Sequence, residues 1–391
     1  MKEMEKEQPE VVNTAAAPET EVKDAQSARK QRILKIVFTV LFVVVMVAII
    51  TYTAVHDFSG QNVSLSRVFE MIGDNWYYLL VLLGIYIFLV LMEAGKIFIM
   101  IGKTTGKFKP EVSLNCAILG RFYDYITPFG SGGQPFQIYY LATHGVEGGA
   151  AGAIPIGSMF FTQFSFFACA IVSFIVGVSE DIVPLYMQII AYFGSFCYII
   201  VSLVLVIFSF LPKTGYKIIA WGTKVCTKLK ICKNPDKWIA KGNQAIDNNK
   251  RNMAIILKSK RVLIACTLMS LLFVIARASM PYFSLLLFSD ALPAGYTPGW
   301  DMWFEITRVT FFIECVITIV PTPGNSGAAD GTFYGLFHSI LSAVAGATFT
   351  CMMVWRIYSY YLYLVVGLVV LIGVKIAAQR RKTLLLNSGK K

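Results

Sequence analysis

Two short segments interrupt apolar runs in the same way. Thr127-Pro128-Phe129-Gly130-Ser131-Gly132-Gly133-Gln134-Pro135 is the first, and 195 positions later Thr322-Pro323-Gly324-Asn325-Ser326-Gly327 repeats its Thr-Pro-x-x-Ser-Gly pattern. Proline removes a backbone donor and glycine opens left-handed φ/ψ space, so neither segment continues a helix. Inside a membrane, broken backbone is stable only where protein buries it or where it lines a wet cavity. A pair of such breaks, one per half, marks the place where a transporter builds its substrate site. Two ordinary loops with a shared turn composition are the alternative; the apolar runs flanking both segments closely favour membrane-embedded breaks.

Composition supports that reading. Of 391 residues, 56% are hydrophobic and 15% are charged, against roughly 25% charged in an average soluble domain. The mean hydropathy is +0.62. This is the composition of a polytopic, all-α integral membrane protein. The net charge of +12 then reports on orientation and on anionic lipid, not on nucleic acid. The eight cysteines form no CxxC or zinc spacing and the three histidines are scattered, so neither a metal nor another cofactor is expected. No P-loop, HExxH, GxSxG or GxGD motif is present, and with them the chemistry of hydrolysis or nucleotide use is missing.

Taken in order, residues 1–32 read as a disordered, polar cytoplasmic tail, and Ile33–Val55 as an uncleaved span with Arg29, Lys30 and Arg32 at its inner end. Trp76–Ile101 is the second span, followed by the basic Lys103, Lys107 and Lys109. Phe160–Val178 is a third, leading to the acidic Ser179-Glu180-Asp181. If the basic loop is internal and the acidic loop external, the stretch between them crosses an even number of times. Its arms, Ser113–Ile126 and Pro135–Thr143, are each too short for a hydrocarbon core of about 30 Å. A re-entrant hairpin from the cytoplasm satisfies both constraints. Leu185–Leu211 returns inward and closes a first membrane half over 33–211. Residues 212–261 carry thirteen Lys/Arg and two Asp and read as a cytoplasmic loop. Within it Ile218, Trp221, Val225 and Leu229 form one face of an interfacial helix, and a second helix is expected from Asn234-Pro235-Asp236. The second half, 262–375, holds Val262–Phe288, then Trp303–Val320, the break at 321–331, Thr332–Ala347 and Thr348–Val374. Its ends are met by three crossings or by a hairpin plus one crossing. With a hairpin, the halves form an inverted repeat. A basic tail, 376–391, places the C-terminus inside with the N-terminus.

Ionisable groups at membrane depth are expensive and default to functional hypotheses. Arg121 and Asp124 precede the first break; Arg308 and Glu314 precede the second, with Asp330 just after it, and Arg277 and Arg356 lie deep in apolar runs. Glu93, Lys96 and Glu305 complete the set, with Lys96 and Glu305 expected to snorkel to the interface. An arginine fork suits a lipid phosphate, and an acid suits a cationic headgroup. Pairing among themselves is the alternative, and an i, i+3 pair such as Arg121–Asp124 is self-sufficient.

At three patches the sequence resembles the membrane domain of the lysylphosphatidylglycerol synthetase/flippase (multiple peptide resistance factor) family, and more closely its stand-alone, flippase-like members. The patches are Thr127-Pro128 through Gly132-Gly133-Gln134-Pro135 with the aromatic-rich Phe136–Leu141, then Pro321-Thr322-Pro323-Gly324-Asn325-Ser326-Gly327-Ala328-Ala329-Asp330, and Trp355-Arg356. Three positions depart from the family pattern: Gln134 stands for an acid, Asn325 for a glycine, and Asp330 for a glutamate. The resemblance implies translocation of a phospholipid headgroup, lysyl-phosphatidylglycerol being one example, across a bacterial plasma membrane. The family's soluble aminoacyltransferase domain is not seen in the sixteen residues after Lys375, so synthesis is not expected. The residues expected to bind substrate are Arg121, Asp124, Thr127, Gly132, Gly133, Gln134, Arg277, Arg308, Glu314, Thr322, Gly324, Asn325, Asp330 and Arg356. The expected partners are anionic or aminoacylated phospholipids, with a second copy or a separate lipid synthase as protein partners. A phosphatidylglycerol lysyltransferase-type enzyme and a non-catalytic partner of a synthase or glycosyltransferase are the competing readings.

Overall fold

Long apolar runs become helices here because a buried or lipid-facing backbone must satisfy its own hydrogen bonds. The structure, a computed structural model, describes residues 65–177, 235–293, 295–317, 322–341, 343–344 and 346–388, with isolated positions at 51 and between 185 and 227. These lie in one unit, Thr51–Lys391, and no strand occurs among them. In chain order the helices are α1 (Leu65–Asp74), α2 (Tyr77–Thr105), α3 (Pro110–Ile126), α4 (Gly133–Thr143), α5 (Gly148–Val176), α6 (Pro235–Lys258), α7 (Lys260–Ala278), α8 (Met280–Leu286), α9 (Trp300–Ile317), α10 (Ala328–Leu341), α11 (Ala347–Arg356) and α12 (Leu362–Ser388). The expected spans at 33–55 and 185–211 and the face of Ile218, Trp221, Val225 and Leu229 fall almost wholly outside the described residues.

Among the described residues, four stretches are long and apolar enough to cross a membrane: Tyr77–Thr105, Gly149–Val176, Lys260–Leu286 and Ala347–Arg380. Much of their surface faces outward, including Leu80, Ile87 and Leu91 on α2 and Val365, Leu368 and Val369 on α12. An apolar exterior of this extent suits lipid and not water. The chain is therefore an all-α, polytopic membrane protein. Two boundaries differ from expectation. The third expected span begins at Gly148, not Phe160, because the small residues from Gly148 to Gly152 are its first turns and bury Ala150, Ala151 and Ala153 against neighbours. The run expected over 332–347 is the 14-residue α10, which ends at Leu341.

Two hydrophobic cores organise the bundle. One gathers Leu82, Tyr86 and Leu89 of α2 with Phe273 and Val274 of α7 and much of α8–α11. The other gathers Ile97 and Met100 of α2 with Cys116, Leu119, Ala151, Ile154 and Cys266. Helices α2 and α7 thus run through both. On α2 the change from one core to the other falls at Glu93 and Lys96.

Helix α3 starts at Pro110, whose fixed φ suits a first helical position, and stops at Thr127-Pro128 because proline disfavours helical φ/ψ in the residue before it. The chain turns through Pro128–Gly130 and returns as α4, which packs along α3. At 17 and 11 residues these arms reach only about 25 and 16 Å. The second break makes the matching turn, Pro323–Asn325, between α9 and α10, and those helices also pack together. Gly130 has φ 59 and the equivalent Asn325 has φ 53, so both turns close on a left-handed residue. Gly324 is left-handed as well, at φ 60, and the ring of Tyr360 occupies the space a Cβ would need. The two turns pack against each other.

Gly324→Ala combines an unfavourable left-handed conformation with displacement of a packed ring. It is expected to cost about 2–4 kcal/mol, read as a lower unfolding midpoint in detergent. Gly84→Ala, on α2 with nothing within 4 Å of the new carbon, should be neutral or stabilising by about 0.5–1 kcal/mol.

Candidate functional site

Both breaks are held by carboxylates. Asp124 Oδ1 accepts the backbone N–H of Gly133 at 2.8 Å, and a Cβ on Gly133 would collide with that carboxylate. Thr127 Oγ1 accepts from the N–H of Gly132 at 2.9 Å and donates to the Tyr123 carbonyl at 2.7 Å. In the second break Asp330 Oδ2 accepts the N–H of Gly327 at 2.8 Å, and Thr322 donates to the carbonyl of Ser326 at 3.0 Å. The Nε of Arg356 bonds Asp330. Its terminal nitrogens reach the carbonyls of Gly324 at 3.4 Å and Asn325 at 3.5 Å. Arg356 is buried and lies over the rings of Trp355 and Tyr360. Directly after it, α11 runs into a π-helical turn, Ile357–Tyr361, a distortion that recurs at functional sites. Thr127, Gly132, Gly133, Thr322, Asp330 and Arg356 thus shape the turns, and the end of α3 meets the other half where Tyr360 donates to Tyr125 O at 3.5 Å.

Between the turns and the helices lies a cavity of about 490 Å³. Arg121, Asp124, Gln134, Arg277, Glu314, Gly324 and Asn325 line it, as does Glu93. A smaller pocket beside it is lined by Arg356 together with Arg277 and Glu314. Arg277 of α7 and Glu314 of α9 pair across it, Nε to Oε1, at 2.9 Å, and the arginine side chain keeps 30% exposure. Arg121 extends toward Glu93 Oε2 at 3.7 Å with 20% exposure, and its guanidinium lies 5.0 Å from the ring centre of Phe273.

Three placements differ from the sequence reading. Lys96 does not snorkel. It is fully buried, 3.0 Å from Glu93 and bonded to Thr162, and nine residues separate it from the helix end at Thr105, about 13 Å of helix. That is too far for its stem to reach water. Arg121 takes Glu93 as its ion-pair partner, while Asp124 turns to the Gly133 amide, the more demanding group because it lies in a break. Arg308 is not at the cavity; it donates to the carbonyl of Gly177 at the end of α5 and covers the ring of Phe304. Sequence reasoning missed Ser158 and Thr162, and it counted Glu93 and Lys96 among the charges at membrane depth without assigning them to the site. Ser158 donates to Glu93 Oε1 at 2.9 Å. The signal was present: a Glu/Lys pair at i, i+3 far from either end of an apolar helix, and two hydroxyls at i, i+4 on another. Among the described residues no three His, Cys, Asp or Glu side chains converge as metal ligands.

Residues 32–367 match the family described as the lysylphosphatidylglycerol synthase TM region. The chain belongs to that family. No curated protein and no solved structure matches it. In this lysylphosphatidylglycerol synthase TM-region chain the match spans both breaks and the charged cluster between them, so the site described above lies wholly within the family's own region.

The cluster predicts an asymmetry. Lys96→Met leaves Glu93 with Arg121 and Ser158 and should cost about 1 kcal/mol. Glu93→Gln strands Lys96 beside Arg121 and should cost about 3–5 kcal/mol. Unfolding of the purified variants in detergent reads both, and the reverse order would mean that Lys96 is not the charge Glu93 holds in place.

Proposed function

We propose that this chain moves the polar headgroup of a phospholipid between the leaflets of a bacterial plasma membrane, without changing the lipid covalently. The observation that carries the reading is the cavity between the two breaks. Two arginines and three acids line it, inside a protein whose exterior is apolar, and charges are kept at such depth where a polar solute must pass. Arg121 and Arg277 supply donors to a phosphate in transit, and acyl chains stay in lipid. Membership of the lysylphosphatidylglycerol synthase TM-region family makes phosphatidylglycerol and its lysylated form the first lipids to test.

In this reading the α3–α4 hairpin is re-entrant from the cytoplasm, the α9–α10 hairpin enters from the opposite side, and both termini are cytoplasmic. The short arms and the contact between the two turns support that arrangement, the inverted repeat used for alternating access.

Vesicles reconstituted with the full chain test the proposal. The outer-leaflet fraction of labelled phosphatidylglycerol should equilibrate faster than in empty vesicles, and Arg277→Gln or Arg121→Gln should slow it by about tenfold or more. Arg308→Gln, away from the cavity, should leave the rate near wild type. Equal rates with and without the chain for phosphatidylglycerol and its lysylated form would sink the proposal. A change in total lipid composition, in place of its distribution, would mean a lipid-modifying enzyme.

A further inference from the structure

We infer that Lys96 is a positioning residue for this site: it compensates the charge of Glu93 from behind the cavity wall and so leaves the Arg121 guanidinium to a ligand phosphate. The inference rests on the translocation reading for its setting and deepens it by saying how one of the two arginines is kept ready.

Three charged groups meet at one oxygen. Lys96 Nζ lies 3.0 Å from Glu93 Oε2, and Arg121 Nη2 lies 3.7 Å from it. Among the described residues no donor is aligned on that buried oxygen as a hydrogen bond, whereas Oε1 accepts from Ser158 at 2.9 Å. One carboxylate thus faces two cations, and the trio carries one positive charge in excess. Position decides which cation can offer it to a ligand. Lys96 is fully buried and donates to Thr162. Arg121 keeps 20% side-chain exposure and lines the cavity together with Glu93 and Thr162. The lysine stands behind that wall; the arginine stands in it.

Lys96 acts on Arg121 in two ways. It compensates Glu93 at the closer range, so Arg121 can turn to a phosphate without leaving an acid uncompensated at membrane depth. It is also a like charge against the same groups. The ring centre of Phe273 lies 5.5 Å from Lys96 Nζ and 5.0 Å from the Arg121 guanidinium carbon, and like charges repel most where water is scarce. Both effects loosen the hold of Glu93 on Arg121. Arg277, by comparison, meets its acid Glu314 at 2.9 Å, so Arg121 is the more loosely held of the two. Without Lys96, Glu93 and Arg121 would form a neutral one-to-one pair that a ligand has to break. Phosphatidylglycerol and its lysylated form share the phosphate, so Lys96 serves either.

Native mass spectrometry of the detergent-purified full chain with phosphatidylglycerol as probe tests this, and lipid exchange in reconstituted vesicles is the second readout. Lys96→Met should weaken phosphatidylglycerol binding about tenfold while the unfolding midpoint moves little. Removing the acid as well should free Arg121 again. Glu93→Gln with Lys96→Met, and the wholly apolar Glu93→Met with Lys96→Met, replace both members of the buried pair, a change that proteins often tolerate. Whichever of the two folds should bind phosphatidylglycerol at least as tightly as wild type. Wild-type binding by Lys96→Met would overturn the assignment, as would paired variants that bind no better than Lys96→Met, or a wild-type chain that retains neither phosphatidylglycerol nor its lysylated form. Lys96→Met that moves lipid at the wild-type rate would leave translocation standing and overturn the role of the lysine. The expected binding pattern in a chain that moves no lipid would uphold that role and overturn translocation.

Discussion

The hydrogen bond from the Gly133 amide to Asp124, and its counterpart from Gly327 to Asp330, are what the rest of the site depends on. A helix that stops within apolar surroundings leaves backbone groups without partners, and lipid offers none. Each break meets this need with one carboxylate. Arg356 then braces the second carboxylate and two carbonyls of the turn. With both turns fixed and packed on each other, the cavity is lined by both of them and by the helices around them. The cavity is thus a consequence of how broken backbone is kept satisfied.

Charge is distributed by the same economy. Fully buried Lys96 has Glu93, Arg277 has Glu314, and Arg356 has Asp330. Each pair brings together a cation and an anion that would each be costly alone at this depth. Arg121 and Arg277 each meet a partner acid through one nitrogen, and both line the cavity. Phe273 sits beside Arg121 and Lys96 and offers its ring face to both, softening the repulsion between two neighbouring cations.

Much of this was legible in the sequence. Helices α2, α7 and α11–α12 follow from apolar length alone, and α6 begins at Pro235, where an N-terminal signal stands. The breaks follow from Thr-Pro-x-x-Ser-Gly, because proline and left-handed glycine act locally. Pairing was not legible, because it depends on which helices meet. Arg121 and Asp124 are one turn apart, yet the break that follows claims Asp124, and Glu93, 28 positions upstream, comes to Arg121. Lys96 was misread for a similar reason: hydropathy counts a lysine as an end marker, while the 29-residue helix carries it too deep for that. Arg308 looked like its neighbours in composition and differs only in facing the end of α5.

The one-turn spacing of Glu93 and Lys96 also bears on how the chain enters the bilayer. Both charges belong to one helix, so they enter the hydrocarbon as a neutral dipole joined by a local contact. Helix Tyr77–Thr105 need not wait for a later segment to cancel its charge. Arg121 arrives afterwards on the next helix and meets a carboxylate already in place. The order of synthesis is thus also the order in which these charges meet.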